Sequence, residues 1–326
     1  MAYPMSWVYG LIVRIRNAMY GHGRGIYRVP LPVISVGNIT VGGTGKTPLV
    51  TWIVRRLRES GHNPAIVMRG YASVDPSKAD EVVEYHDRLQ EIDIVVGGDR
   101  YANITSYLAN GGKADCFVMD DGFQHRRLHR DLDIVVLDFL RDALEERMLP
   151  AGWLREPIEG LKRADAFVVS HTSHKNPSYA KKVVAVSGKE PIAWTTHHWT
   201  KLHVHKHEGE TSEELDWLMG KKVAVRLGIG YSGPVIEALV RLGAKIARQL
   251  PAGDHQPFTD PEIDILIDAS KEVDAIVMTL KDWVKARDVV DLTKLHSPIV
   301  VPNLVLDIVD GSGELESLLL SVFKEG

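Results

Sequence analysis

Cysteine is nearly missing from the 326-residue chain, where Cys116 stands alone. One thiol cannot close an intramolecular disulfide, and such usage suits a reducing compartment. No apolar run reaches 18 residues, which argues against a membrane-spanning helix. A basic n-region, apolar h-region and small-residue cleavage site do not follow one another, so the chain is expected in the cytoplasm. Acid is absent from residues 1–58, although Arg14, Arg16, Arg24, Arg28, Lys46, Arg55, Arg56 and Arg58 all fall there. That stretch is +8 in a chain of net charge −4, which leaves −12 for the remainder. The overall balance gives no reason to expect nucleic acid, and no obligate protein partner is evident. The local excess points to an anionic ligand or surface. A hydrophobic content of 44% excludes global disorder, and the length suits two domains.

Short apolar runs alternating with amphipathic stretches make up most of the chain. Pro32–Val36, Ala65–Met68, Ile92–Val96, Cys116–Met119, Leu132–Val136 and Ala166–Val169 read as strands, with a helix from about Lys46 to Ser60. Continuous apolar strands separated by helices indicate an α/β fold, a P-loop NTPase-like parallel sheet with helices on both faces. From Ile192 to about Glu208 the pattern shifts to tryptophans and alternating histidines, read as a β-ribbon. A second, smaller α/β block follows, with strands near Val223–Leu227, Ala275–Met278 and Ile299–Val301. Thr259-Asp-Pro-Glu262 has capping-box spacing at a helix start there. The expected boundaries are 1–30 for an amino-terminal membrane-interface segment, 31–190 for the P-loop domain, 191–211 for the ribbon linker and 212–326 for the second domain.

The strongest motif is Gly37-Asn-Ile-Thr-Val-Gly-Gly-Thr-Gly-Lys-Thr-Pro48 between a strand and a helix. Its glycines let successive backbone N–H groups turn around phosphate oxygens. Lys46 then reaches the outer phosphates, and the Thr47 hydroxyl can hold Mg²⁺. Residues Thr40, Val41, Gly42, Gly43, Thr44, Gly45, Lys46, Thr47 and Pro48 are the expected ATP-binding loop. Thr40 occupies the first glycine position of the strict pattern. A P-loop also needs an acid at a neighbouring strand end, and Asp120 after Cys116-Phe-Val-Met119 supplies it, followed at once by Asp121. Mg²⁺ is thus expected on Thr47 and Asp120. The loop by itself leaves kinases, guanine switches and partitioning ATPases open. Thr279-Leu-Lys-Asp282 has the guanine-reading letters in the wrong order, and Val41 stands where partitioning ATPases place a second lysine.

These residues resemble the tetraacyldisaccharide 4′-kinases of lipid A biosynthesis. The similarity takes in Tyr9-Gly10, Arg16, the loop from Val36 to Pro48, Arg69-Gly-Tyr71, Asp120-Asp-Gly-Phe-Gln-His125, Leu149-Pro-Ala-Gly152 and Leu154-Arg-Glu-Pro157. Gly228-Ile-Gly230, Asp254-His255 and Lys281-Asp282 follow in the same order, so the landmarks span nearly the whole chain. The resemblance implies a peripheral kinase on the cytoplasmic face of the inner membrane. It would use MgATP to phosphorylate the 4′-hydroxyl of a lipid-linked glucosamine disaccharide 1-phosphate. The alternative is a non-catalytic, membrane-associated P-loop nucleotide switch. The family's catalytic-base aspartate falls on Asp99; Asp121 corresponds to the residue that orients it, and His255 to a histidine from the second domain. With Lys46 these are the expected catalytic residues. The chain departs from the family's Gly-Asp-Glu-Pro, reading Gly98-Asp99-Arg100-Tyr101, and Glu145-Glu-Arg-Met148 and Trp153 replace a Gly-Asn-Gly and a proline.

Weaker signals have plainer readings. His203, His205 and His207 share one face of a strand, and in the absence of an evident carboxylate or cysteine partner they read as a polar strand face. His125 and His129 lack the glutamate of a zinc-binding helix. Arg126, Arg127, Arg130 and the Arg155-Glu156 pair suit either an acidic sugar or the surface. Trp7, Val8, Leu11, Ile12 and Ile15 recur at helical spacing with Arg14 and Arg16 beside them. That composition suits a helix lying in a membrane interface, and the competing reading packs the same face on the first domain.

Overall fold

A computed structural model describes residues 2–21, 25–70, 80–229, 232–253 and 258–324, with the side chains of residues 2–4 left aside. The elements run α1 (Ala2–Gly21), β1 (Val33–Gly37), α2 (Lys46–Glu59), β2 (Pro64–Met68), α3 (Asp80–Arg88), β3 (Ile94–Val96) and α4 (Arg100–Ala109). They continue with β4 (Cys116–Asp120), β5 (Leu132–Asp138), β6 (Ala166–Ser170), α5 (Pro177–Ser187), β7 (Ala193–Lys206) and β8 (Gly209–Glu213). The last third holds β9 (Lys222–Arg226), α6 (Gly233–Arg241), β10 (Lys245–Leu250), α7 (Asp260–Ser270), β11 (Ala275–Met278), α8 (Leu280–Ala286), β12 (Ile299–Asp310) and α9 (Ser312–Ser321).

The chain forms two compact units, and neither is continuous in sequence. The first comprises Met1–Ser77, Arg88–His197 and Leu306–Gly326; the second comprises Lys78–Asp87 and His198–Val305. The carboxyl-terminal α9 thus belongs to the first unit, where the Phe323 ring stacks on His62 just beyond α2. The return of the chain to the first unit within β12 is invisible to composition, because the strand opens on the apolar Ile299-Val-Val301 in either case.

In the first unit the strand order is β6-β5-β1-β4-β2-β3, every pair parallel, with the start of β7 beside β6. All residues of β1, β2, β4, β5 and β6 are buried, as expected of strands covered on both faces. Register sets the site: Val36 of β1 lies opposite Asp120 of β4, and Gly37 opposite Val135 of β5. Parallel strands end on one edge, so the loop after β1 and the acids after β4 emerge together. Phe123, Ile39, Leu137, Leu154 and Trp194 close the core beneath that edge.

In the second unit β10, β9, β11 and β12 pair in parallel, while β7 and β8 form an antiparallel hairpin in the stretch read as a ribbon. The alternating β10, Lys245-Ile-Ala-Arg-Gln-Leu250, escaped the sequence reading because it has no continuous apolar run. Thr259 and Glu262 make the capping box that the spacing called for. The landmark Asp282 is fully buried and accepts from the Arg226 guanidinium at 2.9 Å, from the Gly228 amide at 3.0 Å and from the Thr279 hydroxyl at 2.6 Å. Arg226 also reaches Glu262 at 3.2 Å and lies 3.6 Å from the Phe258 ring centroid. A buried charge must be paired, and these bonds tie the turn at Gly228 to the start of α8. His203 and His205 do have a carboxylate partner: Glu210 of β8 lies 2.6 Å and 3.5 Å from them. The sequence reading missed it because the pairing depends on the hairpin register, which sets His205 opposite Glu210.

Candidate active site

The loop from Asn38 to Gly45 leaves β1 and feeds directly into α2. Two glycines are required by geometry. A side chain at Gly37 would run into the Phe123 backbone nitrogen at 2.5 Å, and Gly45 sits at φ 82°, a left-handed conformation, as the residue that opens α2. Inside the loop the buried Asn38 amide donates to the hydroxyls of Thr44 at 3.0 Å and Thr40 at 3.4 Å. Thr40 therefore takes part in the loop's own bonding at the position where the strict pattern has glycine. Ser170 at the end of β6 donates to the Thr44 carbonyl at 2.9 Å. The turn is thus fixed before any ligand arrives.

The first turn of α2 holds Lys46, Thr47 and Pro48 and contains no acid, so the positive end of the helix dipole is not cancelled. Lys46 Nζ lies 3.3 Å from Asp121 Oδ1, and the Arg155 guanidinium donates to Asp121 Oδ2 at 2.7 Å. Burial pushes the Asp121 carboxyl up, but Lys46 and Arg155 together outweigh it and bring the pKa down to about 2. The carboxylate is ionised at any working pH. Because the folded-state value lies below the unfolded one, this stabilises the fold above about pH 4 and the gain disappears as pH falls toward 2. Asp121→Asn is accordingly expected to cost about 2 kcal/mol at neutral pH, with the gap to the parent narrowing between pH 4 and pH 2 in urea unfolding.

Asp120 is 6% exposed at the end of β4, one residue from this cluster. Asp121 itself sits at φ 49°, in the left-handed region, at the turn after β4. Arg155 comes from a segment that runs along the loop: the Val41 amide donates to the Trp153 carbonyl at 2.9 Å and the Arg155 amide to the Ile39 carbonyl at 2.7 Å. Neighbouring Glu156 is 1% exposed, held by Arg163 at 2.6 Å and by Gln124, whose amide also donates to the Asn38 carbonyl at 2.7 Å. Nothing in residue spacing predicts that this segment lies against the loop; the only sequence signal is that it appears among the family landmarks.

Asp99 is the N-cap of α4, accepting from the Ala102 amide at 3.2 Å, and Arg127 approaches its other oxygen at 3.5 Å. Its side chain is 44% exposed, so the carboxylate is open to an incoming group. Arg126 donates to the Asn17 carbonyl, and Arg130 to the carbonyls of Gly122 and His125 and to Asp133. Arg127 alone of the three faces the candidate base. Burial, reinforced by Arg100 and Arg130, pushes the His125 pKa down to about 4, so this histidine is neutral near pH 7. No group of three or more metal-binding side chains occurs among the described residues. Asp254 and His255 lie outside the described residues, as do Tyr71 and Gly230.

The donor set fits a nucleotide with a hard cation. Backbone N–H groups around Gly42 and Gly45, the α2 amino terminus and Lys46 are all electropositive, which suits phosphate oxygens. The Thr47 hydroxyl and the Asp120 carboxylate are oxygen donors of the kind that Mg²⁺ prefers. Lys46 meets Asp121, the neighbour of Asp120, and the Arg100 side chain, next to Asp99, reaches the Asp120 and Asp121 carbonyls.

Residues 1–324 match the family described as LpxK, tetraacyldisaccharide-1-P 4′-kinase. The chain is 33% identical over 346 aligned positions to the tetraacyldisaccharide 4′-kinase of Chlorobaculum tepidum, covering 98% of this chain and 97% of that one. It is 35% identical to the Geobacter sulfurreducens enzyme of the same name, covering 87% and 83% respectively. A crystal structure of Aquifex aeolicus LpxK in complex with ATP superposes with a TM-score of 0.73 at 27% identity, over 98% of each chain. Matched by the family from residue 1 to 324 and by relatives at 33% identity over 98% of its length, the chain belongs to the tetraacyldisaccharide-1-P 4′-kinase family.

Proposed function

We propose that the protein transfers the γ-phosphoryl group of ATP to the 4′-hydroxyl of a tetraacylated glucosamine disaccharide 1-phosphate. Family membership across nearly the whole chain carries this reading, together with the Lys46–Asp121–Arg155 cluster at the mouth of the phosphate loop. It favours the kinase over the nucleotide switch. Residues Thr40 to Pro48 hold the phosphates, and Thr47 with Asp120 would hold Mg²⁺, which when bound draws charge off the phosphate oxygens. Asp99 accepts the proton of the sugar hydroxyl as its oxygen bonds to phosphorus and the bond to ADP breaks. Lys46 meets charge developing on the phosphoryl group, and the Asp121 ion pairs hold Lys46 and Arg155 in place for it. His255 enters the proposal on its family position alone. Purified protein given labelled ATP and the tetraacyldisaccharide 1-phosphate should yield a bisphosphorylated lipid. Absence of that product, with ADP formation indifferent to the lipid, overturns the reading.

The same proposal places the protein peripherally on the cytoplasmic face of the inner membrane, attached through α1. No described helix is long and apolar enough to cross a membrane. Trp7 is 78% exposed, and Val8, Leu11, Ile12, Ile15 and Met19 are exposed beside it. The opposite face is occupied: the Tyr9 hydroxyl donates to the Arg155 carbonyl at 2.9 Å, and the Asn17 amide to Glu156 at 3.3 Å. Deleting the helix would therefore disturb the site as well as any attachment. A cleaner variant replaces Trp7, Leu11, Ile12 and Ile15 with serine and keeps Tyr9 and Asn17. Its binding to vesicles containing anionic lipid should weaken by about 100-fold or more, since each large apolar side chain adds about 1.5–3 kcal/mol when fully buried. Turnover of detergent-dispersed substrate should stay within about threefold. Unchanged vesicle binding removes α1 as the anchor.

A further inference from the structure

The residue after Asp99 is the point at which the chain leaves the family pattern, with Arg100 where glutamate is expected. Its side chain is only 4% exposed, and its guanidinium has a specific destination. Nη2 donates to the carbonyl of Asp120 at 3.1 Å and to that of Asp121 at 3.3 Å. Desolvating a guanidinium is costly unless strong acceptors receive it, and here the acceptors are the backbone of the turn that carries both acids. Asp121 is held in the left-handed region, a conformation that persists in a non-glycine residue only when its surroundings enforce it. Lys46 and Arg155 grip the Asp121 carboxylate; Arg100 grips its carbonyl.

Arg100 is also the first residue of α4, directly after the capping Asp99. One side chain therefore spans from the helix end that presents Asp99 to the turn that presents Asp120 and Asp121. A glutamate at this position has only acceptors to offer the two carbonyls, so it cannot make the same link. Tyr101, the second departure, stacks on Tyr27 with ring centroids 4.8 Å apart and holds the same helix end from another direction.

We infer that Arg100 is a positioning residue for phosphoryl transfer, fixing the Asp99 carboxylate relative to the Asp120–Asp121 turn by binding that turn's carbonyls. The inference rests on the reading of Asp99 as the base. Proton acceptance needs the carboxylate in hydrogen-bond reach of the attacking hydroxyl, and a displacement of about 1 Å is enough to cost on the order of 100-fold in rate. ATP is held chiefly by the loop amides and Lys46, so its binding should depend on the link far less than proton acceptance does.

The test uses the full chain with Arg100→Met, Arg100→Lys, Asp99→Asn and the double variant Asp99→Asn/Arg100→Met. Arg100→Met should lower kcat by about 10- to 100-fold while KM for ATP and the ATP-induced rise in Tm stay within about twofold. Arg100→Lys keeps one donor and should recover part of the loss. The double variant should be no slower than Asp99→Asn, since the clamp acts through the base. Wild-type kcat in a folded Arg100→Met, a parallel fall in kcat and ATP binding, or a full multiplicative loss on top of Asp99→Asn each overturns the inference. If Arg100→Met does not fold, Arg100→Lys carries the test, and unchanged kcat in that variant overturns it. Asp99→Asn alone reports on the base and Arg100→Met alone on the clamp, so a failure of either is visible without the other.

Discussion

Turnover in Lys46→Ala is expected to fall by about 10³-fold, equivalent to about 4 kcal/mol of transition-state stabilisation. The lysine opens α2 at a helix end already electropositive, so its charge adds to a preformed field. Truncation removes the point charge proposed to meet the transferring group, and the neighbouring Arg155 guanidinium is already engaged by Asp121 at 2.7 Å. The fold should survive, because that same arginine still neutralises the Asp121 carboxylate. Steady-state ADP formation with lipid substrate, compared with thermal unfolding of the same sample, makes the measurement. A Lys46→Ala enzyme that is folded and within about threefold of the parent rate would remove the phosphate loop from the mechanism.

What was legible in the sequence follows from the kind of signal each feature leaves. Buried parallel strands leave continuous apolar runs, so β1, β4, β5 and β6 were found with their ends nearly right. The phosphate loop leaves glycines at fixed offsets, and Asp120 leaves an acid at the end of an apolar run. Contacts from a side chain to a distant carbonyl leave nothing periodic. Tyr9 to Arg155, Arg100 to Asp120 and Gln124 to Asn38 join residues 146, 20 and 86 positions apart, and each depends on how loops fold back over the strand ends. The pairing of His203 and His205 with Glu210 depends on hairpin register, and the role of Asp282 depends on the burial of Arg226. The amphipathic character of α1 was plain, but which face met the protein was not. Its apolar face is exposed, while Tyr9 and Asn17 are spent on the segment that carries Arg155 and Glu156.

Asp99→Asn separates the two roles that one side chain holds. As an N-cap, Asp99 accepts from the Ala102 amide, and asparagine keeps a carbonyl oxygen in the same place for that bond. Little stability should be lost, and Tm should move by only a few degrees. As a proposed base, Asp99 must take a proton from a sugar hydroxyl, and an amide oxygen is far too weakly basic to do so. kcat is therefore expected to fall by about 10²- to 10⁴-fold. ATP affinity should remain within about twofold, because Lys46 and the loop amides are untouched and the lost interaction develops only as the proton leaves. Arg127, 3.5 Å from the carboxylate, would lose its countercharge in this variant, so Arg127→Gln serves as the control for a purely electrostatic effect. That control should cost less than about tenfold, since the pair is exposed and exposed pairs are weak. Asp99→Asn losing ATP binding and turnover together, or matching Arg127→Gln in size, would move the base elsewhere and leave Asp99 as the cap of α4.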